Sequence, residues 1–394
     1  MLPTYATALP AVSASVECPT HGSTWPINSV VPPEPSGSCK LETDVCPSIF
    51  LPLNRIWSEL QRYAPESMSS YVQNVGAKDG LAADPLLPLF RAYPNTAAIA
   101  MEPSNRMFPR LQRNMQQFAN VRPLKAAISP SNAVELLRYD THRNGSATVR
   151  TLDIFKLDID GCECHILEVL LSSPEAWAHP KVIQIEMNHL LIPPLGYRDM
   201  CANDAPGRST GQGRDLYSNL DVWGCSVQAA YDIVRPHGYK LLQYDWPDAV
   251  FVHSNFSAAF PCIPVNEFMR TFWVGYMHAR QHYRRWKLHQ THNWFADQLP
   301  ELAMRSVYDP RQALELIVAT YNSSWVKSPL WLEMSVAGSS CRLTVKRASA
   351  AVPLQMHWHQ CAPLKESALR LPPLGLEFDS LAKKAKFSIS TTLR

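Results

Sequence analysis

The stretch LDIFKLDIDGCECHILEVLL, residues 152–171, decides how the rest of the chain is read. Its first half is a short, largely apolar run, the pattern of a strand buried on both faces of a parallel sheet. The pattern then breaks. Asp158, Asp160, Gly161 and Glu163 crowd the exit, and Ile166, Leu167, Val169 and Leu170 follow at helical spacing. A strand that ends in carboxylates and turns directly into a helix is a βα junction, and ligands of open α/β sheets bind just outside such carboxyl ends. The same acids suit a helix N-terminus, where negative charge is favoured. Capping alone would account for Asp160 and Glu163, so the neighbouring segments must decide.

Upstream, a helical pattern at 56–63 precedes a strand at 69–77 that runs into the turn Gly76-Ala-Lys-Asp-Gly80. The pattern predicts a helix over 81–93, a strand over 97–101 that ends at Glu102, and a helix over 104–118 with Ser104 as its cap. Residues 121–128 read as a third strand and 133–139 as an extra one. Downstream, 181–187 is a strand ending at Glu186-Met-Asn188, 226–236 a helix, and 239–246 and 249–253 two strands joined tightly at Pro247-Asp248. The Gly- and Pro-containing segment 190–224 is too long for an ordinary connection and reads either as a mobile lid over the substrate side or as a disordered stretch. Strands alternating with helices predict a mainly parallel sheet with helices on both faces.

Composition sets the outer limits. An apolar fraction of 46% with 18% charged residues belongs to a folded chain rather than a disordered one. Lys and Arg outnumber Asp and Glu 17 to 9 from Pro264 onward and are outnumbered 20 to 25 before it. The organisation expected is an irregular arm at 1–50, an α/β domain at 51–260, and a basic, mainly helical extension at 261–394 with a hairpin over 330–346. In that extension Met269, Phe272, Trp273, Tyr276, Tyr283 and Trp286 recur at helical spacing between Arg280, Arg284, Arg285 and Lys287. Such a stripe is expected to pack on the neighbouring domain rather than to bind nucleic acid or lipid. No run is apolar and long enough to span a bilayer. The start lacks the charged segment of a signal peptide, so the cytoplasm is the compartment favoured. The ten cysteines show no paired CxxC spacing, and Cys162 and Cys164 are expected to pack as small apolar residues. His357, His359 and Cys361 form a loose cluster without zinc-site spacing. No metal is assigned.

Two features carry chemistry. Glycines at 76 and 80 permit a tight turn and close backbone approach to a ligand. Glu102, some 20 residues on, stands at the offset where an acid accepts ribose hydroxyls; ahead of Pro103 it can equally be a helix-capping acid. Turn and acid together fit a nucleoside cofactor, but the turn lacks the GxGxxG that cradles a pyrophosphate. S-adenosylmethionine has a ribose and an amino-acid end and no phosphate.

The blocks YVQNVGAKDG (71–80), AMEPS (100–104) with 111–114, 152–167 and 182–188 resemble, in order, those of FkbM-type methyltransferases: a GA-N-x-G turn, an E-P acid and a K-x-D-x-E-G-x-E strand exit. The resemblance covers roughly 69–253. Lys78 stands where the family usually has Asn, and Asp160 where it usually has Glu. It implies a Rossmann-like class I domain with a seven-stranded sheet and S-adenosyl-L-methionine as cofactor. It further implies that Gly76, Ala77, Asp79 and Gly80 lie by the methionine part, that Glu102 holds the ribose, and that Asp158 faces the reacting methyl or the acceptor.

Methyl transfer is an in-line displacement that depends mainly on alignment, and a hydroxyl nucleophile also benefits from a base. Asp158, Asp160, Glu186 and His189, all at strand ends on one edge, are the candidates. Lys156 pairs with a carboxylate or orients substrate, and Asp158 with Asp160 offers oxygen ligands that would suit a divalent metal. The reading is O-methylation of a small molecule or glycan. The rival is a non-catalytic binding or scaffold protein that kept the fold. Oligomeric state is not legible.

Overall fold

The structure is a computed structural model that describes residues 51–82, 84–138, 151–159, 161–174, 177, 179–188, 192–194, 196, 198, 224–245, 247–260, 263, 267–282 and 316, and the backbone of three strands between 330 and 358. Seven strands form one sheet: β1 (Tyr71–Val75), β2 (Ala97–Met101), β3 (Val121–Leu124), β4 (Ile154–Leu157), β5 (Val182–Glu186), β6 (Tyr239–Asp245) and β7 (Asp248–His253). Their order is β3-β2-β1-β4-β5-β7-β6. All neighbours are parallel except β7, which runs antiparallel to β5 and to β6. This is a Rossmann-like, mainly parallel seven-stranded sheet. The order in which successive strands join the sheet reverses between β1 and β4, the switch point at which ligands of such sheets bind.

Each strand feeds both faces because its side chains alternate. Val72, Ala98, Ile154, Val182, Val250 and Val252 pack on one face with Ile56, Trp57 and Leu60 of helix α1 (Leu53–Tyr63), Leu89 and Phe90 of α2 (Leu87–Ala92), and Leu111 and Met115 of α3 (Phe108–Met115). The other face joins Ile99, Phe155, Ile183 and Phe251 to α4 (Ala133–Arg138), α5 (Glu163–Leu171) and α6 (Val227–Val234). Helix α7 (Phe268–His282) completes that face. Its Phe272, Trp273 and Tyr276 are buried there, with Phe272 4.9 Å from the Tyr244 ring, so this part of the aromatic stripe packs on the domain as expected, while Tyr283 and Trp286 lie outside the described residues. Gly275 permits the approach, since a Cβ there would lie 2.1 Å from the Tyr244 carbonyl oxygen.

Several local expectations change. Residues 133–138 form helix α4, not a strand: the run AVELLR is rich in helix formers, Ser129 O accepts from Ala133 N, and Ala133 and Leu137 are buried one turn apart. Helix α2 begins only at Leu87, because the carboxylates of Asp79 and Asp84 bind the amides of Leu81, Ala82 and Leu86 and hold 79–82 and 84–86 in turns. β3 stops at Leu124. The C-terminal third contains strands β8 (Leu330–Ala337) and β9 (Ser340–Arg347), the predicted hairpin, and a third antiparallel strand, β10 (Pro353–Trp358). The arm 1–50, nearly all of the proposed lid 190–224 and the side chains of His357, His359 and Cys361 lie outside the described residues. Among the described residues no helix is long and apolar enough to cross a membrane.

The opposite rim of the sheet is fastened by an ion pair. Asp153, fully buried, accepts from Ser69 N, Ser69 Oγ and Tyr71 N and pairs with the buried Lys181 ammonium. It joins the starts of β1, β4 and β5. Removing one partner strands the other in the interior, so Lys181→Met is expected to cost about 3–5 kcal/mol, read as a lower midpoint in urea unfolding. A loss under 1 kcal/mol would show that water reaches the pair.

Candidate functional site

The residues that face α1–α3 at the carboxyl end of the sheet form two polar rows. The lower row is Asn74, Lys156, Gln184 and Gln243, set by the pairings Asn74↔Lys156, Lys156↔Gln184, Gln184↔Val250 and Gln243↔Val250. Two residues on along each strand comes the rim: Glu102, Gly76, Asp158, Glu186, Asp248 and Asp245. Glu186 pairs with Asp248 and Asp248 with Asp245, while Gly76 N→Met101 O (3.0 Å) and Asp158 N→Val75 O (3.1 Å) carry the parallel ladder one residue beyond β1. Five acids thus share one edge across five strand ends.

The turn after β1 is built from backbone. Gly76 has φ +79°, and a Cβ on it would lie 1.6 Å from the Asp158 carbonyl oxygen. Ala77 N bonds Met101 O at 2.9 Å. Lys78 adopts φ +51°, a left-handed conformation that Asn tolerates far better than Lys. Glu102 closes the turn from β2: Oε2 accepts from Lys78 N at 3.0 Å and Oε1 from Ser104 N at 2.8 Å. Burial pushes its carboxyl above the usual range, against the pull of those amides and of Lys156 and Lys78. A carboxylate has about four lone-pair directions, so Glu102 keeps acceptor capacity for ribose hydroxyls. Asp79 turns back instead. Its Oδ1 binds Leu81 and Ala82 amides and these bonds lower its pKa, while its carbonyl accepts from Asn114 Nδ2 at 2.8 Å. Gly80 (φ +72°) faces Met115 and Leu111 of α3.

Lys156 is the cation at the centre. Its buried Nζ donates to Gly76 O at 2.9 Å and to Asp158 Oδ2 at 3.0 Å, while the more exposed Lys78 Nζ is 3.7 Å from the same oxygen. Of the two expected roles for Lys156, the structure gives the ion pair. Burial opposes a charge on Asp158, but Lys156, then Lys78, then a hydrogen bond with the Glu186 carboxyl hold its pKa below the ordinary value. On either side stand acids not singled out from the sequence. Asp84 accepts from Asn74 Nδ2 at 2.9 Å and is raised by burial. Asp248 accepts from Gln184 Nε2 at 2.8 Å, and burial, then the Asp158 charge, push it up to about 7. The period-two pairs Asn74-x-Gly76, Lys156-x-Asp158 and Gln184-x-Glu186 were the signal available: polar residues two apart in buried strands share a face.

Gly161 (φ +143°) and Cys162 (φ +70°) turn the chain from β4 into α5. Glu163 staples that exit. Its Oε1 accepts from Gly161 N at 2.7 Å and Ile159 N at 3.2 Å, and its buried Oε2 has no hydrogen-bond partner. Cys164, expected as a plain apolar residue, is buried but disulfide-bonded to Cys225, which ties the exit to the start of α6. Asp160 and His189 lie outside the described residues. No group of three or more His, Cys, Asp or Glu among the described residues is arranged to hold a metal ion.

Burial raises Glu163 to about 7, aided by Asp158 and opposed by the loop amides. A native acid that holds its proton above the unfolded value stabilises the fold at low pH, and that contribution disappears as pH rises from about 4.5 to about 7. Glu163→Gln cannot ionise. Its stability relative to wild type is therefore expected to improve by on the order of 3 kcal/mol between pH 5 and 8, measured by thermal melts. A constant difference would show that Glu163 does not titrate there.

As a donor set the rim is rich in acceptors. Glu102 and Asp158 adjoin a glycine turn, while Asn74 Oδ1 and Gln184 Oε1 beneath have no hydrogen-bond partner among the described residues. Hydroxyl donors and a positive charge fit it; a pyrophosphate does not. No protein-family model and no curated protein matches the chain. Among solved structures it is similar to a pericyclic reaction enzyme at 17% identity, covering 54% of this chain and about half (50%) of that one, with a TM-score of 0.30. It is similar to the CurJ carbon methyltransferase at 12% identity, covering 51% and 52% of the two chains with a TM-score of 0.30. For Aeropyrum pernix fibrillarin in complex with S-adenosyl-L-methionine the figures are 10%, 46% and 64%, and 0.26.

Proposed function

We propose that this chain is an S-adenosylmethionine-dependent methyltransferase of the FkbM type that methylates a hydroxyl of a small molecule or glycan. The observation that carries this reading is the meeting, at the switch point between β1 and β4, of the Gly76 turn, the Glu102 carboxylate and Asp158. Glu102 offers remaining lone pairs to ribose hydroxyls, and the backbone at Gly76 and Ala77 permits close approach. The carboxylate surplus of the rim suits a sulfonium. When bound, the cofactor supplies a methyl group on positive sulfur.

The chain's own residues then have distinct tasks. Lys156 fixes the Asp158 carboxylate, and Asp158 orients the acceptor hydroxyl and takes its proton. Glu186 stands on the acceptor side of Asp158 along the rim. A base of this kind contributes about 10²–10⁴ in rate. The reading is tested by following S-adenosylhomocysteine release from pooled hydroxylated acceptors. Release that depends on an acceptor and fails in Asp158→Asn is expected. Cofactor binding with no release from any pool would favour the non-catalytic rival.

A further inference from the structure

Asp158, Glu186 and Asp248 are three carboxyls in succession along the rim. Glu186 and Asp248 face each other in the β5–β7 register, and Asp158 directly follows the neighbouring strand β4, paired with β5. Carboxyls that share a site do not all ionise together, so one of them keeps its proton. Among the described residues the charged groups around them are Lys156 and Lys78, both on Asp158, the acids Asp84 and Glu163, which feel the Asp158 charge, and Asp245, which adjoins Asp248 from β6. Gln184 lies beneath, 5% exposed. Its Nε2 holds Asp248 Oδ2 while its Oε1 takes no donor. Three acids beside one open amide oxygen make a place where a proton or a cation is favoured. The negative charge resides on Asp158, which the lysines favour, and the proton on its neighbours; burial keeps Asp248 protonated up to about pH 7.

We propose that Glu186 and Asp248 form a proton store, giving up one proton when a sulfonium settles beside Asp158 and taking one back from the acceptor hydroxyl through Asp158 during transfer. This rests on the methyltransferase reading. The charges balance at each stage. A cation enters as a proton leaves to solvent. Then the hydroxyl oxygen bonds the methyl carbon, the carbon–sulfur bond breaks with its electron pair staying on sulfur, and the hydroxyl proton passes to Asp158 and on to the pair. The pocket never gains or loses net charge. Asp248 acts through Glu186 and Asp158, so it is a positioning residue, held by Gln184. The store also distinguishes the sulfonium from its neutral thioether product, because only the former displaces a proton.

The test is calorimetric titration of the full chain at pH 7 with S-adenosylmethionine and with S-adenosylhomocysteine, in phosphate and in Tris, whose ionisation heats differ. An acid that titrates near 7 is half protonated there, so about half a proton should be released per sulfonium bound and almost none per thioether. Sulfonium affinity should fall as pH is lowered below 7, by up to about tenfold per pH unit. Asp248→Asn keeps the shape and the bond from Gln184, and should bind S-adenosylmethionine while losing most of the release. Glu186→Gln should behave likewise and carries the comparison if Asp248→Asn does not fold. Equal release with both ligands, release undiminished in both variants, or release lost instead in Glu163→Gln would overturn the store. So would loss of binding in a folded Asp248→Asn, which would place Asp248 in the cofactor pocket. Failure of the native chain to bind either ligand would overturn the methyltransferase reading itself.

Discussion

Gly76→Ala is expected to leave no stably folded protein. The new methyl would sit 1.6 Å from the Asp158 carbonyl oxygen and 2.7 Å from its carbonyl carbon. Both are backbone atoms of the adjacent central strand exit and cannot rotate away. Relief requires parting β1 from β4 where Asp158 N bonds Val75 O, at the middle of the sheet. Alanine at φ +79° adds about 1–2 kcal/mol. Overpacking a core commonly costs about 1–3 kcal/mol even where side chains yield, and a domain has only about 5–15 kcal/mol to lose. Gly80→Ala is the control. It meets the flexible ends of Met115 and Leu111, so it should fold with a lowered midpoint. Soluble yield and cooperative melting report both; a Gly76→Ala protein melting within a few degrees of wild type would refute the turn as drawn.

Asp158→Asn should turn over about 10²–10⁴ more slowly once an acceptor is found, while still melting cooperatively and binding cofactor. The amide keeps the shape and can still accept from Lys156 through its oxygen, but it cannot take a proton and gives Lys156 no counter-charge. Some loss of stability is therefore expected, on the order of 1–3 kcal/mol for a weakened charged hydrogen bond. Near-native turnover would move the base to Glu186 or His189. Lost cofactor binding in a folded variant would make Asp158 part of the cofactor pocket.

The junction after β4, the glycine turn and Glu102 were legible because each combines an abrupt change of hydrophobic period with residues whose chemistry is local. What the sequence concealed depended on partners far along the chain. Asp248 reads as half of a tight turn, and only the antiparallel return of β7 sets it beside Glu186. Asp84 reads as an exposed helix-start acid until Asn74 reaches it. The run 133–138 is apolar at a spacing that fits either period, and length and composition settle it as helix. Cys164 and Cys225 are 61 residues apart, beyond any spacing rule. Their bond also bears on compartment, since disulfides persist where the surroundings are oxidising. Lys78 shows the reverse case. The Asn usual in the FkbM-type proteins that the sequence resembles would suit the left-handed turn better, and the φ of +51° gives the physical reason.

The account stands most directly on the cofactor. Titration of S-adenosylmethionine into the native protein should give saturable binding with one site per chain, and Glu102→Ala, shown by its melt to be folded, should weaken it by about 10–150-fold. That range corresponds to the loss of a charged hydrogen-bond partner, about 1.5–3 kcal/mol. No binding to the native protein, or undiminished binding in the folded variant, would contradict the account.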